Sequence, residues 1–303
     1  MNKSVINSYK QQEKHYDKFV INGEINEHAE TWFEPNNVDQ WRHLRMYDKL
    51  LPLINSIPNA KWITIGDGRM GNDAHYLETK GIDVLATDIS DVLLKKAFQT
   101  GYIKKYKKEN AEMIDQENDS FDFVLCKESY HHFPRPYLAL YEMLRIARNG
   151  IILIEPNDHY VDTKFFQIPL RNLKNFLRKK IINRNFVHDF EESGNYVYRI
   201  SKRELEKVAY GINLPNVAFL RMNDHFINGV AKINIGEKNL LFTKLKFIIN
   251  FQDILCKLGI LQYTLLVSIL FKIKPDENLR KDLLRTGFEV VDISENPYQE
   301  KNI

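Results

Sequence analysis

The chain has few cysteines and almost no excess of charge. Its 303 residues include two cysteines, which excludes a disulfide framework and suits a reducing compartment. Lysine and arginine number 43 against 40 aspartates and glutamates, a formal charge of +3 that is too balanced to favour a nucleic-acid partner. The polar N-terminus also lacks the apolar core of a signal peptide. We therefore expect a cytoplasmic protein that does not bind nucleic acid.

Long apolar runs are missing as well. The longest uncharged run, Leu258–Phe271, is shorter than the roughly 20 apolar residues that span a bilayer. We interpret it as part of a long buried helical segment at about residues 240–274. A contact with a membrane surface is the alternative.

The sequence does contain a glycine turn that is followed at a fixed distance by an acid. Gly66, Gly68 and Gly71 follow the apolar strand Trp62–Ile65, and glycines let a backbone turn tightly and approach a ligand closely. A helix after the turn would direct its free N–H groups at the same ligand. Asp88 ends the next strand, where a carboxylate can accept both hydroxyls of a ribose. The combination predicts an adenosine-containing cofactor.

Strands and helices alternate from residue 62 onward, which predicts one α/β domain with a parallel sheet covered on both faces. A helix is expected at 38–56, and Ser90 is expected to cap the helix at 91–100. Ser201 and Glu204 form a capping box before a helix at 202–210. The predicted strands are 62–65, 83–87, 102–108, 121–127, 150–156, 216–221 and 288–294.

These motifs resemble those of the class I S-adenosylmethionine-dependent methyltransferases, in particular the small-molecule branch known as type 11. The resemblance rests on the glycine turn, Asp88, the string CKESYHHF that ends the fourth strand and IEPND after the fifth, and it covers about residues 38–160. It implies a doubly wound, mostly parallel Rossmann-like sheet of seven strands with an antiparallel last strand. The family usually has an acid two residues before the first glycine, where this chain has Thr64.

The resemblance also divides the chain and assigns roles to residues. Residues 1–37 have aromatic side chains among polar ones and are expected to pack as a cover. Residues 38–160 would form the S-adenosylmethionine-binding core, and 161–303 helical substrate-specificity insertions plus the closing strands of the same sheet. Gly66, Asp67 and Gly68 would pass under the methionine part of the cofactor, and Asp88 would hold the ribose. The other positions are Ile89 on the adenine face, Asn110, Ala111 and Glu112 at the adenine edge, and Cys126 and Lys127 beside the sulfonium.

Two adjacent histidines are the candidates for catalysis. His131 and His132 follow the fourth strand, and a neutral imidazole can take the proton of an attacking hydroxyl. The alternatives are that one of them packs beneath the cofactor and that methyl transfer proceeds by alignment without a base. Glu128 is expected to orient a histidine. A metal held together with Asp158 and His159 is disfavoured, because the side chains of adjacent histidines diverge.

The expected acceptor is a small molecule with a hydroxyl, interpreted as a sugar or glycan intermediate that is free or lipid-linked. The basis is the aromatic-rich, basic segment 160–200, in which Lys164–Arg184 would contact anionic lipid, a phosphorylated saccharide or only solvent. Asp224 is expected to cap a helix. An NAD-dependent oxidoreductase and a non-catalytic protein that binds an adenosine cofactor remain as alternatives.

Overall fold

The computed structural model describes residues 3–21, 24–25, 31–32, 34–158, 161, 189–190 and 195–298. Within these ranges the chain forms a large sheet with helices on both faces and a short hairpin of Val20–Ile21 with Glu24–Ile25. The helices are α1 Lys3–Asp17, α2 Val38–Tyr47, α3 Leu51–Ile54, α4 Asn72–Thr79, α5 Val92–Gln99, α6 Pro136–Ile146, α7 Lys202–Gly211, α8 Leu240–Lys257 and α9 Glu277–Thr286. The sheet strands are β1 Lys61–Ile65, β2 Asp83–Asp88, β3 Tyr106–Lys108, β4 Phe121–Lys127, β5 Ala147–Pro156, β6 Asn216–Met222, β7 Leu265–Phe271 and β8 Glu289–Asp292.

The strands lie in the order β8-β6-β7-β5-β4-β1-β2-β3. Strands β1 to β5 pair in parallel. Strand β7 is antiparallel to both β5 and β6, so β6 points the same way as the first five strands. Strand β8 pairs antiparallel with β6 at the edge. The predicted fold class is confirmed, with eight strands rather than seven.

Successive residues of each strand enter the two faces of the sheet alternately, as the pleat requires. Trp62 and Phe123 belong to one apolar cluster, whereas Ile63 and Val124 belong to the cluster on the opposite face. A third, smaller cluster holds α8 against α2, where the rings of Trp41 and Phe242 lie 5.1 Å apart. Helix α2 is therefore fixed over the carboxyl edge of the sheet by α8.

The prediction of one helical segment over 240–274 is wrong. Helix α8 ends at Lys257, and all seven residues of β7, Leu265–Phe271, are buried in the sheet between β5 and β6. A strand with both faces covered is apolar throughout, so its periodicity cannot distinguish it from a buried helix. Among the described residues, no helix is long and apolar enough to cross a membrane.

Two other local predictions need correction. The helix expected at 38–56 ends at Tyr47, and a short 3-10 turn leads into α3, which accommodates Pro52 in its first turn where no N–H is needed. Ser90 does not cap the following helix; its hydroxyl donates to Asp17 at 2.8 Å. The basic segment Lys164–Arg184 and most of the insertion expected at 160–200 lie outside the described residues.

Of the capping box predicted before α7, the cap by Ser201 is confirmed. The Ser201 side chain accepts the N–H of Glu204 at 3.2 Å, and α7 begins at the next residue, Lys202. Helix α9 ends at Gly287, which has a φ of +101°.

Candidate functional site

Three strand ends bring the candidate residues into one row. Strand β1 lies between β2 and β4, and its last residue is paired with Thr87 on one side and Cys126 on the other. The residues that come next, Gly66, Asp88 and Lys127, therefore lie side by side at the carboxyl edge of the sheet. This is the edge at which open α/β sheets bind ligands.

The turn at Gly66 has no room for a side chain. Gly66 has a φ of +77°, and its N–H, like that of Asp67, donates to the carbonyl of Thr87 at 2.9 Å. A Cβ on Gly66 would lie 1.8 Å from the hydroxyl oxygen of Ser129, which follows β4. The glycine thus allows the loops after β1 and β4 to touch, and this contact shapes the site.

Asp88 is a buried carboxylate at the base of the site. Its Oδ1 accepts the N–H of Ser90 at 2.8 Å, and the N–H groups of Gly68 and Ile89 also bond to the carboxylate. Burial raises the pKa of Asp88 to about 7, because these N–H groups only partly compensate the lost hydration. A Cβ on Gly68 would lie 2.8 Å from Oδ2 of Asp88, so Gly68 leaves space for this carboxylate.

Asp67 supplies a carboxylate next to Thr64, the position at which the family usually has an acid. The hydroxyl of Thr64 donates to Oδ2 of Asp67 at 2.9 Å. Asp67 also accepts the N–H groups of Asp73 and Ala74, at 3.1 and 2.9 Å, in the first turn of α4. Burial and then the charge of Asp73 raise the pKa of Asp67 well above its usual range. Contrary to expectation, these two N–H groups of the helix are therefore already bonded within the protein.

A first cleft opens on the Asp88 side of Gly66. Its empty volume is about 490 Å³, including its open mouth. Helix α1 covers it, since Tyr9 and Gln12 are among the lining residues. The rest of the wall is mainly apolar and includes Ile65, Ile89, Ala111, Phe133 and Pro134.

The loop after β3 forms one side of the first cleft, and the side chains of Asn110 and Glu112 in this loop are hydrogen-bonded within the protein. Oδ1 of Asn110 accepts the N–H of Glu112 at 2.9 Å. The Glu112 carboxylate accepts the hydroxyl of Tyr9 at 2.5 Å and Nε of Arg135 at 2.6 Å. Glu112 therefore connects α1 to the loop before α6, and Ala111 presents the apolar surface between these polar groups.

The side chains that end β4 are engaged within the protein. Cys126 is fully buried with Sγ 3.9 Å from Glu155, and burial followed by this carboxylate raises the pKa of the thiol. The Lys127 ammonium lies 3.4 Å from Asp73 and 3.2 Å from Glu128. Burial alone would lower the pKa of Lys127, but the two carboxylates outweigh it and raise the pKa. The backbone is thus the part of these two residues that can face a ligand.

A second cleft, of about 350 Å³, opens on the other side of Gly66 and is lined by charges of both signs. Nη1 of Arg69 lies 2.9 Å from Nε2 of His43. Arginine only donates, so Nε2 accepts and a neutral His43 carries its proton on Nδ1. Burial, followed by Lys127 and Arg69, lowers the pKa of His43 well below its usual value, which keeps the ring neutral.

Glu128 is one of the acidic residues that line the second cleft. It adopts a φ of +50°; its side chain is 29% exposed, and its carboxylate lies 3.4 Å from Nδ1 of His43. Burial would raise the pKa of Glu128, but Lys127 and Arg69 outweigh it and lower the pKa. Glu128 was expected to orient a histidine after β4, and it faces His43 instead.

Helix α2, which carries His43, is tied to the end of β6. Nε of Arg42 donates to Oδ1 of Asp224 at 3.1 Å, and the second guanidinium nitrogen bonds to Oδ2. The expectation that Asp224 caps a helix is therefore wrong, because its carboxylate is taken by this ion pair. The ion pair fixes α2, which lines the second cleft through His43 and Tyr47, to the segment that follows β6.

The two candidate catalytic histidines lie beside a buried carboxylate of β5. Nδ1 of His131 is 2.6 Å from Oε2 of Glu155, whose Oε1 accepts the N–H groups of Ser129 and Tyr130 at 2.8 and 2.9 Å. The rings of His131 and His132 are 4.0 Å apart, and His132 lines the first cleft.

Across the described parts of the chain, no group of three or more histidine, cysteine, aspartate or glutamate residues is placed to hold a metal ion.

The lining of the two clefts by residues of α1 and α2 was not predicted from the sequence. Tyr9 and Gln12 are three residues apart on α1, and His43 and Tyr47 are four apart on α2, so each pair shares a helix face. That spacing is visible in the sequence, but it does not say which face turns toward the site. Arg69 could have been identified as a candidate from the sequence, because it is the cationic residue within the glycine turn at residues 66–71.

Comparison with known proteins identifies part of the chain. The family model described as a methyltransferase domain matches residues 63–154. A ubiquinone biosynthesis O-methyltransferase of Methylococcus capsulatus is 29% identical over 159 residues, which are 50% of this chain and 61% of that protein. The match thus spans less than two thirds of this relative.

Solved structures with a similar course of the chain include two methyltransferases. One is from Thermotoga maritima and is described as a possible histamine N-methyltransferase; it has 16% identity, a TM-score of 0.47 and coverage of 88% of this chain and 100% of that chain. The other is magnesium protoporphyrin IX methyltransferase of Synechocystis, solved with S-adenosylhomocysteine, at 13% identity, a TM-score of 0.47 and coverage of 89% and 99%. Because both TM-scores are below 0.5, neither likeness carries an argument about this chain.

Proposed function

We propose that this chain, whose residues 63–154 belong to the methyltransferase domain family of class I S-adenosylmethionine-dependent enzymes, transfers a methyl group to a small molecule. The recognition of that class from the glycine turn and Asp88 is confirmed, and S-adenosylmethionine is its cofactor. When bound, this cofactor supplies an electrophilic methyl group on a sulfonium sulfur. The residues of the chain must hold it and direct the acceptor to it.

The observation that carries the proposal is that two clefts of different character meet at Gly66. The first has apolar walls and the buried carboxylate of Asp88, which suits a nucleoside: the carboxylate accepts ribose hydroxyls, while Ile89 and Ala111 contact the base. The second cleft has charges of both signs, which suits the amino-acid end of the same molecule. One ligand lying across the Gly66 turn would occupy both.

In the second cleft we assign the ends of the methionine part to two partly exposed groups. The Arg69 guanidinium would bind the carboxylate of the ligand, and the Glu128 carboxylate would bind its ammonium group. Gly66, Asp67 and Gly68 would pass beneath, with the Asp67 carboxylate turned away into its bonds with α4. These assignments add Arg69 and Glu128 to the residues expected from the sequence.

At the adenine edge we assign the contacts to Asn110 and Ala111. Oδ1 of Asn110 bonds to the N–H of Glu112 in this structure, so binding of the base would exchange that bond for bonds to adenine. The carboxylate of Glu112 remains with Tyr9 and Arg135, and its proposed role is to hold α1 over the cleft.

For the acceptor we propose a hydroxyl, with His131 as the base and Glu155 as the residue that positions it. With the proton on Nδ1 of His131 bonded to the Glu155 carboxylate, Nε2 is the nitrogen that would take the hydroxyl proton. His132 would contact the ligand from the first cleft. The carbonyl groups of Cys126 and Lys127 would line the sulfonium.

The finer proposal for the acceptor is a sugar or glycan intermediate, either free or lipid-linked. The relative from Methylococcus capsulatus is named as an O-methyltransferase, which supports oxygen as the acceptor atom. The basic, aromatic-rich composition of residues 160–200 supports a polar acceptor of this kind.

The test is to incubate the protein with S-adenosylmethionine that carries a tritiated methyl group and with fractionated cell extract. We expect label in a small-molecule fraction, in a linkage that resists alkali as an ether does. Acid hydrolysis would then release a methylated monosaccharide if the acceptor is a glycan. Label in no fraction would contradict methyl transfer and favour a protein that only binds the cofactor.

A further inference from the structure

Helix α8 has two apolar faces, and one of them is not covered by the described residues. Of its buried residues, Phe242, Leu245 and Ile249 share an apolar cluster with Val38 of α2, and Cys256 is buried on the same side of the helix. On the opposite side lies a stripe of exposed apolar residues, which we call the α8 stripe: Leu240, Phe247, Phe251, Ile254 and Leu258. Their spacing of seven, four, three and four residues places them on one line of the helix.

The α8 stripe is more exposed than a soluble helix normally leaves its large apolar side chains. Phe247 is 67% exposed and Leu258 is 66% exposed. The rings of Phe247 and Phe251 stack in parallel with centroids 6.0 Å apart, so they form one continuous surface. Ile260 and Leu261, also exposed, extend this surface past the end of the helix. A contiguous apolar area of this kind marks an interaction surface.

The charges around the α8 stripe indicate what it binds. Exposed lysines flank it on both sides, with Lys244 on one side and Lys246 and Lys257 on the other, as their helical angles require. Between residues 240 and 261 the sequence has one acid, Asp253, and that acid accepts a hydrogen bond from Asn223. An apolar stripe with lysines on both sides complements the interface of an anionic lipid bilayer, where aromatic side chains enter the acyl boundary and lysines meet the headgroups.

The stripe also lies close to the edge of the sheet that carries the two clefts. The chain leaves α8 through residues 258–264, where the carbonyl of Thr264 accepts the N–H of Asn157 at the end of β5. Thr264 further bonds to Asp224, the partner of Arg42 on α2. A bilayer against the stripe would therefore lie beside the rim at which an acceptor enters.

We propose that the α8 stripe docks this protein on an anionic membrane surface, with α8 parallel to the bilayer plane. The proposal does not depend on methyl transfer. It differs from the contact considered for Leu258–Phe271, because most of that run is the buried strand β7 and only its first residues belong to the exposed surface.

The experiment is co-flotation of the purified full chain with vesicles of phosphatidylcholine alone and of phosphatidylcholine with phosphatidylglycerol. We expect binding to the anionic vesicles and much weaker binding to the neutral ones. The double variant Phe247→Ser, Phe251→Ser should lose binding on the order of 100-fold, since two large apolar side chains no longer enter the lipid. The control is Leu138→Ser, Tyr141→Ser on α6, which removes two other exposed large side chains, 43% and 46% exposed, and should bind like the wild type.

The lysines provide a second, independent readout. Lys244→Glu with Lys246→Glu should weaken binding to the anionic vesicles by about tenfold or more, on the order expected for lysines at a charged surface, and should flatten its dependence on salt. Lys207→Glu with Lys281→Glu, on the exposed faces of α7 and α9, is the control. Thermal unfolding of each variant shows whether it is folded.

Three outcomes would overturn the proposal. They are absence of binding to either kind of vesicle, equal binding by the phenylalanine variant and the wild type, and a dimer in size-exclusion chromatography that the phenylalanine variant converts to a monomer. The last would show that the stripe binds a second copy of the chain.

Discussion

The raised pKa of Asp88 predicts that the binding of a nucleoside depends on pH near neutrality. The carboxylate must be ionised to accept two ribose hydroxyls, and burial raises its pKa in the free protein to about 7. From that value, about nine in ten of these groups are ionised at pH 8 and about one in ten at pH 6. Protons and ligand therefore compete, and the dissociation constant should rise roughly tenfold between pH 8 and pH 6.

The direction of the pH dependence follows from the raised pKa of Asp88. A carboxyl group whose pKa is raised in the free protein binds a proton below about pH 7, so acid weakens the binding of any ligand that needs the anion. Adenosine is the best probe, because it has the ribose but none of the amino-acid charges of the full cofactor. Adenosine stays neutral between pH 6 and pH 8, so a change in its affinity over this range comes from a group of the protein that gains or loses a proton.

The assay is isothermal titration of the protein with adenosine at several values of pH between 6 and 8. Asp88→Asn should bind adenosine more weakly than the wild type at pH 8 and should show no pH dependence. Asp83→Asn, at the exposed start of the same strand, should retain the wild-type profile. A flat wild-type profile, or an Asp88→Asn variant that still titrates, would refute the role given to Asp88.

Two further predictions concern the glycine turn and the proposed base. Gly68→Ala should weaken binding of S-adenosylhomocysteine by about tenfold or more. The added Cβ would lie 2.8 Å from Oδ2 of Asp88, and overpacking of this kind costs about 1–3 kcal/mol. The control is Gly211→Ala, whose Cβ meets nothing within 4 Å and which should bind normally in the same titration. Glu155→Gln should reduce the rate of methyl transfer roughly 100-fold while changing the affinity for S-adenosylhomocysteine little, because the amide shifts the proton of His131 to Nε2 and removes the base. An unchanged rate in a folded Glu155→Gln variant would show that alignment alone suffices.

The alignment of the candidate cofactor-binding residues could be predicted, because it depends on short stretches of chain at strand ends. Gly66, Asp88 and Lys127 lie in one row because β1 pairs in parallel with both β2 and β4. The carboxyl ends of the three strands therefore meet at the same edge of the sheet. The partners of these residues were less predictable. The sequence does not show that Asp67 turns back to Thr64, or that Glu112 bonds to Tyr9, more than a hundred residues earlier.

Contacts between distant segments explain the larger errors. Strand β7 was missed because it lies in the interior of the sheet, paired with β5 and β6 at its two edges and buried on both faces, and this burial removes the alternation that marks an exposed strand. His43 was overlooked because its role depends on Arg69 and Glu128, which reach it from loops after β1 and β4. Such contacts follow from tertiary packing rather than from local periodicity.

The most direct test of the central claim is one titration series with three ligands. Isothermal titration of the wild-type protein with S-adenosylmethionine, S-adenosylhomocysteine and NAD should show saturable binding of the two sulfur compounds and none of NAD. Arg69→Ala should weaken both sulfur compounds but leave the affinity for adenosine unchanged, since adenosine does not reach the second cleft. Binding of NAD without either sulfur compound would contradict the account, as would absence of heat with all three ligands.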